Sequence, residues 1–166
     1  NVNPSEDQLV VATQDCLDFI RKFGLEPKVA LLSHSNFGTY DDEGAHKMKV
    51  AAERLRGFNP DLEIDGEMHA ISAFNEQLRS SIYQNNHLTG RANLLIMPNM
   101  DAASIALGLS RSITNANMIG PYLNGLDKAA HILIPSVSAR GIFNMAALTV
   151  EDSLTQRGGV QQSLLA

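Results

Sequence analysis

The chain has 166 residues, 44% of them hydrophobic and 19% charged: enough apolar material for a domain core and too little charge for a disordered chain. A net charge of -5 gives no general attraction to nucleic acid or to an anionic membrane surface, and no apolar run approaches the roughly 20 residues that span a bilayer. The single cysteine, Cys16, excludes an internal disulfide and points to a reducing, cytoplasmic setting; a chain that starts at Asn1 and not at methionine reads as part of a longer one.

The first predicted element is a helix. Ser5 and Gln8 form a capping-box pattern behind Pro4, with Glu6 and Asp7 in the first turn. Leu9, Ala12, Cys16, Ile20 and Phe23 recur at helical spacing, and Gly24 supplies the stop. On that stripe Cys16 reads as core filler and not as a reactive thiol. Val29 to Leu32 is a short apolar run typical of a strand buried on both faces, and it empties into the polar loop Ser33–Thr39. A second helix follows with Met48, Ala51, Ala52 and Leu55 on one face, Asp41 and Asp42 near its start, and Arg54 and Arg56 near its end.

The unit then recurs in kind. Leu62 to Ile64 reads as a strand leading into Asp65-Gly66-Glu67, followed by one helix through Ala73, Leu78 and Ile82. Leu94 to Met97 is another apolar strand, feeding Pro98-Asn99 and a helix from Ala102 to Ser112. Ile132 to Ile134 reads as a final strand, after which Ser138 caps a helix expected to turn Ile142, Met145, Ala146 and Thr149 inward. Strands alternating with helices, and apolar throughout, imply a mostly parallel sheet with helices on both faces. The chain is read as one unit.

Ligands of such sheets bind where strands end and helices begin, which singles out Ser33–Thr39, Asp65–His69, Pro98–Asp101 and Gly120–Gly125. The hydroxyls of Ser33, Ser35 and Thr39 with Gly38 fit either an anion cradle or an ordinary strand-to-helix turn. Asp65, Glu67 and His69 would share a face in an extended segment, as a metal or acid/base constellation does. Gly66 between them favours the other reading, in which Asp65 bonds local backbone while Glu67 and His69 open the next helix. No Walker loop, nucleophile elbow or dinucleotide fingerprint occurs.

The stretches Val29 to Thr39, Pro60 to His69, Ala92 to Asn99 and Gly120 to Gly125, in that order and spacing, resemble the phosphate acetyltransferase/butyryltransferase (phosphotransacetylase) family. The versions Ser33-His34-Ser35-Asn36-Phe37-Gly38 and Asp65-Gly66-Glu67-Met68-His69 are similar to the domain fused behind bacterial NADP-dependent malic enzymes. The resemblance implies a three-layer α/β lobe of the isocitrate/isopropylmalate dehydrogenase-like kind over residues 1–156, with 157–166 as a frayed tail. It further implies an acyl-CoA cleft between this lobe and one upstream, and a dimer through this lobe, within a larger assembly of the full protein. NADP and a divalent metal would belong to the upstream malic enzyme region, leaving this domain without a cofactor of its own. The implied ligand residues are Ser33, Ser35, Asn36, Gly38, Thr39, Asn99, Gly120, Pro121, Gly125 and Arg140.

Active members of the family place a serine–arginine pair and then an aspartate after a lysine–proline turn. Aligning Lys128 with that lysine, without a gap, puts Ile134, Pro135 and Gly141 at these positions, none of which can bind phosphate by charge or move a proton. Ser72 and Gly108 stand where the family commonly has an aspartate and a lysine. The resemblance therefore implies a non-catalytic regulatory domain that senses acetyl-CoA and supports oligomerisation. An active phosphate acetyltransferase, compensated by Ser136, Ser138 or Arg140, is the alternative, and a purely structural dimerisation module is the second.

Overall fold

The computed structural model describes residues 1–163 apart from 115–117, 127 and 136, with side-chain surroundings described as far as Thr155. Ser136 thus lies outside the described residues. The chain divides into two compact units, Asn1–Ser110 and Arg111–Ala166, at a place that no compositional break marks.

The first unit is built on a parallel sheet of three strands, β1 (Lys28–Leu32), β2 (Glu63–Met68) and β3 (Leu94–Ile96), in the order β2-β1-β3. Its central strand is buried on both faces, and its side chains alternate between two cores. Val29 and Leu31 join Ile64, Leu9, Leu17, Met48 and Leu55 on the face covered by helices α1 (Glu6–Lys22) and α2 (Glu43–Phe58). Ala30 and Leu32 join Met68, Ala73, Leu88 and Ala92 on the other. This is the expected α/β architecture.

Helix α1 begins with the expected capping box: Ser5 Oγ accepts from the Gln8 N–H and Gln8 Oε1 from the Ser5 N–H, at 3.4 and 3.0 Å. It ends at Gly24, whose φ of +69° suits a residue without Cβ. The buried stripe, however, is Leu9, Val10, Thr13 and Leu17, not the expected Ala12, Cys16 and Phe23. A threonine can sit in that core because its hydroxyl donates to the Leu9 carbonyl at 2.7 Å. Cys16 is half-buried, and burial, with the Asp15 carboxylate adding, pushes its thiol pKa up; it is a poor nucleophile.

Three further expectations are corrected. β2 continues through Asp65, Gly66 and Glu67 to Met68, so Glu67 belongs to the strand, and of the two residues expected to open the next helix only His69 does, as the N-cap of the helix that starts at Ala70. One helix was expected through Ala73 and Ile82; there are two, α3 (Ala70–Phe74) and α4 (Glu76–Ile82), because Asn75 caps the second through the Leu78 N–H at 3.0 Å. The segment Ile132–Ile134 has no strand structure; Ile132 and Leu133 are exposed and pair with no neighbour strand among the described residues. Helix α5 spans Met100–Ile113 and buries no residue. Helix α6 spans Ala139–Ser163, with Ser138 Oγ accepting from the Gly141 N–H at 3.1 Å. Among the described residues its buried ones are Met145 and Asp152, whereas Ile142 and Ala146, expected inward, are exposed.

Candidate functional site

The Ser33–Thr39 loop closes around a carboxyl group of the chain's own, that of Glu67. Glu67 Oε1 accepts from Ser35 Oγ at 2.7 Å and from the Gly38 N–H at 2.6 Å, while its main-chain carbonyl accepts from the Phe37 N–H at 2.8 Å. The loop closes on itself through the Ser35 N–H to Ser33 Oγ and the Asn36 N–H to Thr39 Oγ1. Asn36 Oδ1 then ties it to the next loop, accepting from the His69 N–H at 2.7 Å and from Ser72 Oγ at 3.2 Å. Short charge-assisted bonds of this kind are the strong ones. Glu67 is 1% exposed, and its Oε2 has no hydrogen-bond partner among the described residues.

Gly66 makes this approach possible. Its φ is +149°, and a Cβ there would meet the Leu31 carbonyl oxygen at 2.7 Å and Leu31 Cβ at 2.8 Å. Only glycine lets β2 lie that close to β1 while delivering Glu67 into the loop. Asp65, two residues earlier, is also 1% exposed; it pairs with Arg56 at 3.2 Å and accepts from the His87 and Leu88 N–H groups. Arg79, fully buried, donates to the carbonyls of Ser72, Leu88 and Gly90. Asp65 and Arg79 thus hold the 86–90 turn from two sides, so Asp65 and Glu67 serve different loops. Among the described residues no group of three or more His, Cys, Asp or Glu side chains could hold a metal.

His34 pairs with Asp42, the N-cap of α2, at 2.7 Å. The Ala45 N–H, with His34 and the Gly44 N–H adding, holds the Asp42 carboxyl below its ordinary pKa. Asn99 acts as a cap, its Oδ1 accepting from the Ala102 N–H at 2.9 Å.

In the second unit the Gly120–Gly125 loop is anchored by a buried polar trio. Tyr122 Oη donates to Asp152 Oδ2 at 2.5 Å, and His131 Nε2 lies 3.2 Å from the same oxygen. His131 Nδ1 accepts from the Leu123 N–H at 3.3 Å, so the neutral ring carries its proton on Nε2, toward Asp152. The His131 and Asp152 side chains are 3% and 6% exposed. Gly120 and Gly125, with φ of +148° and +74°, bracket this anchored turn, and the Gly120–Pro121 peptide is cis. Arg140 is exposed on the first turn of α6. At Gly141 a Cβ would meet Val137 Cγ2 at 2.6 Å.

Sequence reasoning found the loops and missed the groups that hold them: Glu67 as the acceptor in the cradle, Arg79 inside the core, and Tyr122, His131 and Asp152 together. The alternation of Asp65 and Glu67 was a usable signal for the first, since two acids in an otherwise buried strand need donors. Nothing in the spacing of Tyr122, His131 and Asp152 announces their meeting.

A parallel sheet covered by helices, with glycine-bearing polar loops at its strand ends, defines an α/β protein of the class that binds ligands at those ends. The chain belongs to the family described as phosphate acetyl/butaryl transferase, which it matches over residues 1–150. It is 48% identical over 151 residues to an NAD-dependent malic enzyme of Rhizobium meliloti, covering 91% of this chain and 20% of that protein. It is 45% identical over 156 residues to an NADP-dependent malic enzyme of Salmonella typhimurium, covering 93% of this chain and 21% of that protein. A phosphate acetyltransferase of Clostridium acetobutylicum is 33% identical, covering 95% of this chain and 47% of that protein. Among solved structures, a phosphotransacetylase from Streptococcus pyogenes superposes with a TM-score of 0.87 at 27% identity, covering 93% of this chain and 47% of that one. The chain thus spans about a fifth of the malic enzymes and about half of the acetyltransferases it matches. It is homologous to the phosphotransacetylase-like domain of malic enzymes.

Proposed function

We propose that the chain is a non-catalytic regulatory domain of an NADP-dependent malic enzyme, the cytoplasmic oxidative decarboxylation of malate to pyruvate being the parent reaction. It binds acetyl-CoA as effector and supports oligomerisation. What carries the reading is that Ile134, Pro135 and Gly141, none of them reactive, stand where the ungapped alignment on Lys128 expects the family's reactive side chains. The crowding of Gly141 against Val137 supports it, since an aspartate cannot enter there without displacing a neighbour. The expected ligand loop of the first unit is Ser33–Thr39; in the second unit the expected groups are the Gly120–Gly125 loop and the exposed Arg140. Regulation requires that acetyl-CoA bind one state of the parent enzyme more tightly than another. Relatives named for NAD and for NADP both match; NADP belongs to the reading through the upstream region.

Calorimetric titration of the intact enzyme with acetyl-CoA should give saturable binding and a matching change in malate turnover; no measurable heat removes the reading. Arg140, exposed and without an ion pair among the described residues, is the feature that favours an active acetyltransferase. An assay with acetyl phosphate and coenzyme A should show no turnover, and activity abolished by Arg140→Ala would establish the alternative. The apolar residues Ile105 and Leu109, one turn apart on α5 and 63% and 59% exposed, support a second copy of this chain as their cover. Sedimentation of Ile105→Glu should show a smaller species.

A further inference from the structure

Two places in the chain put a glycine directly after a side chain that can close a ring on the next backbone nitrogen: Asp65-Gly66 and Asn124-Gly125. Glycine matters there because it carries no Cβ to shield its nitrogen. The structure treats the two pairs in opposite ways. Asp65 is buried, its Oδ1 held by Arg56 and its Oδ2 by the His87 and Leu88 N–H groups, and Gly66 lies inside β2 in register with Leu31. That carboxyl cannot turn onto the Gly66 nitrogen without giving up its donors. Asn124 and Gly125 are both exposed, in a stretch without helix or strand, and the Gly125 φ is +74°. The Gly125 N–H has no backbone acceptor among the described residues. Every other asparagine is followed by a residue with a side chain. Several are also tied down: Asn36 accepts from the His69 N–H, Asn75 and Asn99 cap helices, and Asn93 accepts from the Lys28 N–H.

We propose that Asn124 is a site of self-modification, deamidating with Gly125 as the attacking residue. The Gly125 backbone nitrogen bonds to Asn124 Cγ, the bond from Cγ to the side-chain nitrogen breaks, and that nitrogen leaves as ammonia with the Gly125 proton. What remains is a cyclic imide. Water then opens it at either carbonyl. One opening leaves aspartate; the other leaves isoaspartate, whose main chain runs through the side-chain carbon and is longer by one methylene. Water is the co-reactant, and an exposed loop tip admits it while leaving the backbone room to turn. The attacking nitrogen must shed its proton, so the rate rises with pH. Either product adds a negative charge to the Gly120–Gly125 loop, and the iso form lengthens the turn next to Leu123, whose N–H is bonded to His131. The site does not rest on the acetyl-CoA reading: the conversion proceeds whatever the loop binds.

The test is to age the purified chain at neutral and at alkaline pH beside a synthetic peptide of residues 120–126, following both by intact mass and peptide mapping. The chain should gain one mass unit, located to the fragment that carries Asn124, with isoaspartate in the product and faster gain at the higher pH. Its rate should lie within about tenfold of the free peptide's, which means within about 1.4 kcal/mol of the same barrier. Asn124→Gln, at an exposed position, keeps the amide but needs a larger ring, and should stop the gain at that fragment. Asp65 should stay unconverted while Asn124 turns over. A chain that lags the free peptide by more than about tenfold overturns the proposal, because the fold then holds Asn124 away from the attack. So does isoaspartate that appears first at Asp65 or at another asparagine, and so does a gain that Asn124→Gln leaves unchanged.

Discussion

In the first unit Val29, Ala30, Leu31 and Ile64 have no exposed surface at all, and the helices over them contribute Met48, Ala51 and Leu55 in the same state. In the second, the buried side chains of α6 among the described residues are Met145 and Asp152, while Ile142, Phe143, Val150 and Leu154 face outward. One unit is held by an apolar core sealed on both faces of a sheet, the other by a few polar bonds between a loop, a histidine and a helix. Apolar burial is non-directional and spreads its stabilisation over many contacts, whereas a buried trio concentrates it in two or three hydrogen bonds. The units should therefore fail differently.

The largest effect is expected where the sealed sheet has no room. Gly66→Ala places a Cβ against the Leu31 backbone at 2.7 Å and forces alanine to a φ of +149°, so it should cost about 3 kcal/mol or more. Urea unfolding followed by circular dichroism would show it, and an unchanged midpoint would mean that the two strands can part without loss. Asp65→Asn should cost less, about 2 kcal/mol, because Arg56 loses its counter-charge but keeps partial access to water. Its signature is local: the His87 and Leu88 amides, which Asp65 accepts, should lose hydrogen-exchange protection before the β1 amides do.

Tyr122→Phe tests the other side of the comparison. It removes one hydrogen bond to Asp152 and leaves the ring on His131, which should cost about 1 kcal/mol. Amide shifts should change around Leu123 and α6 and stay fixed in β1 and β2. Changes that spread through the first unit would show that the two are stabilised as one.

The same contrast explains what could be read in advance. The first unit was legible because its strands are continuous apolar runs and its α2 stripe has strict helical spacing; both signals come from burial, which the chain writes locally. Phase was the weak point: in α1 the choice between Ala12/Cys16 and Thr13/Leu17 depends on a threonine satisfying its hydroxyl within its own helix, which no hydrophobicity pattern records. The second unit was legible in its caps and hidden in its core. Ile132, Leu133 and Ile134 have the composition of a strand, yet no strand stands beside them among the described residues, and β structure exists only by pairing. The ligand loops were found from glycines and hydroxyls. That the Ser33–Thr39 cradle is filled by Glu67 was not, since it depends on β2 running four residues past Ile64, where polarity suggested it ends.

The smallest effect concerns acid. Glu63 begins β2 and is partly exposed; burial alone would raise its pKa, yet the Thr89 N–H and hydroxyl and the Lys28 ammonium outweigh burial and hold it below its ordinary value. A carboxyl whose folded pKa is depressed contributes stability that is fully present above its unfolded pKa, about 4.3, and lost as pH falls through the folded value. The window therefore lies below the usual glutamate range, and neutral pH is unaffected by small changes in it. Because Glu63 remains open to solvent, screening keeps the contribution below about 1 kcal/mol. Glu63→Gln should flatten the acid limb of the stability curve below about pH 4.3, and added salt should shrink the difference between the two proteins there. An acid limb identical in both would show that Thr89 and Lys28 are held by the sheet register, with Glu63 merely beside them.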